Sequence, residues 1–83
     1  MDKQTKILII EDDIDAIEAM KVVLESKKYQ VISANDGKEG FEKAKSEKPD
    51  LIILDVMMRH STEGFDVTQN LRRNDQTKYI PIL

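Results

Sequence analysis

Two short apolar runs stand out along the chain, and each is followed by acidic residues. Residues 6–10 (Lys-Ile-Leu-Ile-Ile) and residues 51–54 (Leu-Ile-Ile-Leu) are too short for a typical helix and, apart from the first lysine, contain no polar position. Unbroken apolar runs of this length are typical of strands covered on both faces in a parallel sheet. Residues 11–13 (Glu-Asp-Asp) follow the first run, and Asp55 follows the second. The pattern predicts two buried strands with carboxylates where the chain leaves the sheet.

The rest of the chain alternates between helical and extended patterns. Apolar residues at three- and four-residue spacing predict one stripe on a first helix, formed by Ile14, Ile17, Met20, Val23 and Leu24. Asp13 or a neighbour is suited to cap its first turn. This helix is expected to end near 26–28, and a strand follows at 29–34. A surface helix with a thin apolar face is predicted at 38–47. Phe65, Val67 and Leu71 mark a short helix that ends near 72–74, and residues 79–83 are predicted to open a fourth strand.

The predicted order is β-α-β-α-β-α-β. Strands that alternate with helices indicate an α/β fold, here a doubly wound parallel sheet with helices on both faces and right-handed crossovers. The fourth strand breaks off at Leu83, and no helix follows to cover it. We therefore interpret residues 1–83 as one partial domain that is truncated in strand 4.

Composition excludes several classes of function. The net charge of −3 argues against a nucleic-acid module, which is normally basic. Cysteine is absent, so a disulfide framework and a thiolate metal site are excluded for this chain. No run approaches 18 apolar residues and no signal peptide is visible, so the prediction is a cytoplasmic protein without a membrane partner.

The acids after the two strands form a candidate site. If the strands are neighbours, Glu11, Asp12 and Asp55 converge, and their mutual repulsion is relieved by a divalent cation. An all-oxygen ligand set suits Mg²⁺, which can also neutralise charge on a phosphoryl group. The alternative is that residues 11–13 are ordinary acids at a helix start and that Asp55 is a solvated loop acid.

Three segments together resemble the receiver domain of bacterial two-component response regulators. They are Ile-Leu-Ile-Ile-Glu-Asp-Asp at 7–13, Asn-Asp-Gly at 35–37, and Lys-Pro-Asp-Leu-Ile-Ile-Leu-Asp-Val-Met-Met at 48–58. The resemblance covers nearly the whole chain. It implies a flavodoxin-like fold with strand order 2-1-3-4-5 in the complete family, as the chemotaxis protein CheY has.

The resemblance also implies a role for each matching residue. Asp55 is the expected phosphoacceptor, which takes a phosphoryl group from a phosphohistidine of a sensor histidine kinase. Asp12 is the expected main Mg²⁺ ligand, Glu11 acts directly or through water, and the backbone carbonyl of Met57 completes the protein ligands. Such a domain is a signalling phosphoacceptor, which at most promotes its own phosphorylation and dephosphorylation, and not an enzyme in the ordinary sense.

The chain departs from the family pattern at three points. Arg59 stands where proline usually follows the two methionines, and the loop from Asp55 to Gly64 is one residue longer than is common. The resemblance also implies that the family's later Ser/Thr switch hydroxyl and phosphate-binding lysine would lie beyond Leu83, so both are expected to be absent from these 83 residues. Arg59 is either a phosphoryl contact or, more simply, a solvated arginine. His60 is a loop histidine and a poor ligand for Mg²⁺, which prefers oxygen.

Two other functions compete with the phosphoacceptor hypothesis. The altered loop and the early end are compatible with a receiver-like protein-binding module that is not phosphorylated. A Mg²⁺-dependent phosphatase or nuclease is disfavoured, because such folds typically need an acid two residues after Asp55, where Met57 stands. An exposed fourth strand would also be a template for a homodimer or for a strand-swapped association.

Overall fold

The structure, a computed structural model, describes residues 4–54 and 67–83. Its elements are β1 (Lys6–Ile10), α1 (Ile14–Ser26), β2 (Gln30–Ala34), α2 (Gly37–Glu47), β3 (Leu51–Leu54) and α3 (Val67–Arg73). The predicted alternation of strands and helices is confirmed, and β1 and β3 have the predicted bounds. Among the described residues, no helix is both long enough and apolar enough to cross a membrane.

The three strands form a parallel sheet in the order β2-β1-β3. β1 lies at the centre, and its last residue, Ile10, is in register with Ala34 of β2 and with Leu54 of β3. β1 and β3 are therefore adjacent strands, as the candidate site requires. All three strands end at the same edge of the sheet, where the residues that follow them emerge together.

Of the fourth strand predicted at 79–83, the structure contains a single bridge, at Ile82. The amide of Ile52 donates to the carbonyl of Pro81 (N···O 2.9 Å), and the amide of Leu83 donates to the carbonyl of Ile52 (2.8 Å). Ile82 thereby forms a parallel bridge with Ile52, whereas residues 79–80 belong to the preceding turn. Proline is suited to this position because it contributes a carbonyl and no amide donor.

Alternate residues of each strand face opposite sides of the sheet and form two hydrophobic clusters. On one side, β1 and β3 pack against α2 and α3; the buried members there are Leu8, Ile10, Ala34, Ala44, Ile52, Val67 and Leu71. On the other side, α1 covers the sheet; the buried members there are Ile7, Ile9 and Ile17. Helices on both faces confirm the doubly wound architecture.

The apolar stripe predicted for α1 is only partly buried. Ile17 is buried and Met20 and Leu24 pack against the same cluster, whereas Ile14 and Val23 are 67% and 53% exposed. The two exposed residues flank the line of contact with the sheet, and a single helix covers only a narrow strip of a flat surface. An open groove of about 350 Å³ therefore remains beside α1, lined by Ala19, Met20, Val23, Leu24 and Ile53.

A buried threonine anchors the end of α3, which leads to a prediction. The Thr77 hydroxyl is fully buried and donates to the carbonyl of Leu71 (2.6 Å). Thr77→Val keeps the shape and removes this hydrogen bond, so we expect a loss of about 1–2 kcal/mol in the free energy of unfolding. Thr68→Val, the same exchange at an exposed position of α3, is the control for urea unfolding curves. Equal stability of the two variants would contradict the prediction.

Candidate functional site

The residue after β1 continues the sheet for one more hydrogen bond. Glu11 is 7% exposed, and its amide donates to the carbonyl of Ala34, the last residue of β2 (3.0 Å). The backbone of Glu11 is therefore fixed by the end of the neighbouring strand. A buried carboxylate at the carboxyl edge of a parallel sheet is placed where ligands of such folds bind.

The three consecutive acids have different roles. One carboxylate oxygen of Glu11, Oε2, accepts a hydrogen bond from the amide of Asp13 (3.0 Å). Asp13 is the N-cap of α1, because its Oδ1 accepts from the amides of Asp15 (2.9 Å) and Ala16 (3.4 Å). The predicted cap is confirmed, and the Asp13 side chain serves to cap α1. Asp12, which is half-buried, lies between the two, and residues 11–13 are called the acidic turn below.

The third acid of the predicted site follows β3 in the sequence. Leu54, the last described residue of that strand, pairs with Ile10 at the edge from which Glu11 and Asp12 emerge. Asp55 itself, and with it Met57, Arg59 and His60, lies outside the described residues. Within residues 4–54 and 67–83, no three acidic or histidine side chains form a group suited to a metal ion. The described residues thus include the ends of the two strands that lead into the predicted site, and two of its predicted ligands, Glu11 and Asp12.

The corner between β2 and α2 supports this edge of the sheet, and sequence reasoning missed it. The carboxylate of Glu39 accepts a hydrogen bond from the Asn35 amide through Oε1 (2.9 Å) and forms an ion pair with Lys43 through Oε2 (3.2 Å). Lys43 also donates to the carbonyl of Ser33 in β2. The sequence pattern predicted only a surface helix here; the available signal was the Asp36-x-x-Glu39 spacing of a capping box.

A glycine of α2 allows the helix to approach the end of β1 closely. A Cβ atom built on Gly40 would lie 2.5 Å from Cδ1 and 2.7 Å from Cγ1 of Ile10. Ile10 directly precedes the acidic turn. The position of α2 therefore constrains Ile10, the residue before the candidate site, through a close contact that glycine permits because it has no side chain.

The lysine nearest the fourth strand lies away from this edge. Lys78 precedes Pro81, whose carbonyl accepts a hydrogen bond from Ile52 near the start of β3, so it lies toward the edge of the sheet opposite the acidic turn. Its ammonium forms an ion pair with Asp75 (3.2 Å) and lies 5.2 Å from the centre of the Tyr79 ring. Lys78 therefore does not supply a positive charge to the acidic turn.

Comparisons with known proteins agree with this geometry. PhoP, the alkaline phosphatase synthesis transcriptional regulatory protein of Bacillus subtilis, is 42% identical over 78 residues, which are 94% of this chain and 31% of that protein. The structure of the chemotaxis response regulator CheY4 of Vibrio cholerae superposes with a TM-score of 0.85 at 34% identity, covering 96% of this chain and 66% of that one.

A third comparison concerns the fold alone, because the identity is 23%. The receiver domain of a sensor histidine kinase from Pseudomonas aeruginosa, solved with a magnesium ion coordinated in its active-site cleft, superposes with a TM-score of 0.83 and covers 96% of this chain and 65% of that one.

The family model for the response regulator receiver domain matches residues 7–83, which include every described element after the start of β1. The chain spans about a third of the length of curated transcriptional regulators such as PhoP. The sheet order, the acidic turn after β1 and the match over nearly the whole sequence lead to the same assignment. The chain belongs to the family of response regulator receiver domains.

Proposed function

We propose that Asp55 is the phosphoacceptor of this receiver domain and that Glu11 and Asp12 hold a Mg²⁺ ion beside it. The observation that carries the proposal is the register of Ile10 with Leu54. Because these residues end two adjacent parallel strands, the next residues along the chain, Glu11 and Asp55, follow from the same edge of the sheet.

The donor set fits a hard divalent cation. The proposed protein ligands are the carboxylates of Asp12 and Asp55, Glu11 directly or through water, and the backbone carbonyl of Met57, all of which are oxygen donors. Mg²⁺ typically takes one or two carboxylates and keeps several waters, so this set is sufficient. When bound, the ion would neutralise charge on the phosphoryl oxygens.

The chemistry assigned to Asp55 is nucleophilic phosphoryl transfer. A carboxylate oxygen attacks the phosphorus of a phosphohistidine, and an O–P bond forms as the N–P bond breaks. The electron pair of that bond returns to the imidazole nitrogen of the donor, which then takes up a proton. The product is an acyl phosphate on Asp55. The chain acts here as an acceptor that is modified, and not as an enzyme that turns over a substrate.

The proposed donor is a cytoplasmic sensor histidine kinase. Two-component partners of this kind supply the phosphohistidine for receiver domains, and a hybrid signal transduction histidine kinase of Dictyostelium discoideum contains a segment 39% identical to this chain. We therefore place the domain in the cytoplasm, on the same side of the membrane as the kinase's phosphoryl donor.

A Mg²⁺ titration followed by amide-resolved NMR tests the metal site. We expect shifts centred on Glu11 and Asp12, and at least about a tenfold loss of Mg²⁺ affinity in Asp12→Asn, because one anionic ligand becomes neutral. Asp15→Asn removes the same charge from an exposed position in the first turn of α1 and is expected to keep the affinity within about twofold.

Two results would contradict the metal site. If Mg²⁺ shifts no resonance of the acidic turn, the chain behaves as a receiver-like binding module that is not phosphorylated. If the Asp12 and Asp15 variants lose affinity equally, the ion is attracted by overall charge and is not bound by Asp12.

A further inference from the structure

We infer that Glu39 is a positioning residue for the metal site, which acts by holding the carbonyl of Ala34 under the backbone of Glu11. The inference rests on the proposed function, because it concerns the same site. It adds a residue on α2, outside both the acidic turn and β3, that fixes the position of the backbone of Glu11.

Glu39 joins the two sides of the corner between β2 and α2. Its Oε1 accepts from the amide of Asn35, the first residue after β2, and its Oε2 pairs with Lys43 one turn along α2. Lys43 reaches back to the carbonyl of Ser33. The Glu39 and Lys43 side chains thereby connect α2 to the backbone on both sides of Ala34, at residues 33 and 35.

The backbone held in this way is the partner of Glu11. The carbonyl of Ala34 accepts the hydrogen bond from the Glu11 amide (3.0 Å), and Ala34 itself is 1% exposed. The carboxylate of Glu11 in turn accepts from the amide of Asp13, the cap of α1. A continuous set of hydrogen bonds thus runs from Glu39 through the end of β2 to the acidic turn.

A second contact links the position of α2 to the acidic turn. Gly40, the residue after Glu39, lies directly against the side chain of Ile10, which precedes Glu11. The amide of Glu39 is itself held by the N-cap Asp36 (2.8 Å to Oδ1), so the carboxylate starts from a fixed point of the helix. Loss of the carboxylate therefore loosens the corner at one end while α2 stays in place at the other.

Glu39 acts through these groups and not as a ligand. Both of its carboxylate oxygens have partners within the corner, a backbone amide and an ammonium group. Outer groups that orient metal ligands affect metal affinity although they do not touch the ion. The expected signature is a change in Mg²⁺ affinity that follows the hydrogen bond to Asn35 and not the charge of residue 39.

The test compares Mg²⁺ affinity in three variants of the 83-residue chain, with each variant's folded state verified by urea unfolding. We expect Glu39→Ala to weaken Mg²⁺ binding about 3- to 10-fold and Glu39→Gln to remain within about twofold, because its amide oxygen still accepts from Asn35. Glu42→Ala is the matched control: it removes a carboxylate of the same helix that forms an ion pair with Lys45, and it is expected to leave the affinity unchanged.

Hydrogen exchange of the Glu11 amide without metal gives a second readout. We expect it to accelerate about 3- to 10-fold in Glu39→Ala, beyond any change at the central amides of β1, because local opening is confined to the corner. Unchanged affinity and unchanged Glu11 exchange in Glu39→Ala would overturn the inference, and so would equal losses in all three variants. If the wild type binds no Mg²⁺, the proposed function fails, and the exchange measurement alone decides the role of Glu39.

Discussion

Asp55→Asn is expected to abolish Mg²⁺-dependent labelling of the chain by a small acyl-phosphate donor, with a loss of at least about 100-fold in rate. The reason is that an asparagine side chain carries no nucleophilic carboxylate and forms no acyl phosphate. Intact-mass spectrometry after timed incubation measures the fraction of chain that has gained one phosphoryl group. Removal of Mg²⁺ with a chelator is expected to suppress labelling of the wild type in the same assay.

Asp75→Asn is the control for this experiment. Asp75 is an exposed acid whose partner is Lys78, in the turn that leads to the fourth strand, and its loss also changes the charge by one. We expect this variant to be labelled like the wild type. Labelling that persists in Asp55→Asn, or that maps to another residue in the wild type, would show that Asp55 is not the acceptor.

Gly40→Ala is expected to destabilise the fold by up to about 2 kcal/mol, although alanine is the better helix former. Alanine in place of glycine favours a helix by about 1 kcal/mol, whereas inserting a methyl group into a packed core typically costs about 1–3 kcal/mol. Here the new Cβ would meet three atoms of Ile10, the nearest at 2.5 Å, and Ile10 is fully buried in the sheet. The overlap with Cγ1 and Cγ2 means that the whole side chain must shift, so the packing cost is expected to dominate. Urea unfolding curves provide the measurement.

A double-mutant cycle separates the overlap from other effects. Ile10→Val removes Cδ1, the atom nearest to the new methyl group, and alone is expected to cost about 0.5–1.5 kcal/mol. The double variant should be more stable than the sum of the single changes by about 0.5–1 kcal/mol, since the contact is shared. A stabilised Gly40→Ala would show that the helix moves aside without cost, whereas strict additivity would show that the cost does not arise at Cδ1, since valine keeps Cγ1 and Cγ2.

The strands were predictable because their residues leave few alternatives. β1 and β3 are unbroken apolar runs bounded by charged or turn-forming residues, and their observed bounds are those predicted. β2 begins one residue later than predicted, because the amide of Tyr29 donates to the carbonyl of Leu24 and so belongs to the end of α1. Of the fourth strand predicted at 79–83, only a bridge at Ile82 forms, since the hydrogen bonds to β3 come from Pro81 and Leu83 alone.

The helices were less predictable, because a hydrophobic pattern does not show how closely a helix approaches the sheet. α2 has a thin apolar face by composition, yet its Gly37, Gly40 and Ala44 are buried, and Gly40 lies against Ile10 of the sheet. Small residues contribute little to a hydrophobic pattern and are nevertheless what permits close packing. For α1 the pattern identified the correct stripe but not its width, since Ile14 and Val23 remain exposed.

The acidic turn was predictable from sequence, and its support was not. Glu11 and Asp12 follow an obvious strand, and the prediction that they converge with Asp55 rests on the adjacency of β1 and β3, which the structure confirms. The role of Glu39 depends on the orientation of one side chain toward a backbone amide four residues earlier. Charge patterning along α2 gives the same signal for a solvated acid and for one that holds a corner.

The central place of β1 has a consequence for how the domain folds. Ile10 is joined side by side with Ala34 and Leu54, residues that are far from it along the chain. Neither pairing is a local hairpin, so both depend on closing long loops, and topologies of this kind fold more slowly than those built from neighbouring segments. The acidic edge is complete only when both closures have occurred. The Mg²⁺ ion proposed for this edge would therefore bind the finished sheet in preference to partly folded chains and would shift the population toward it by mass action.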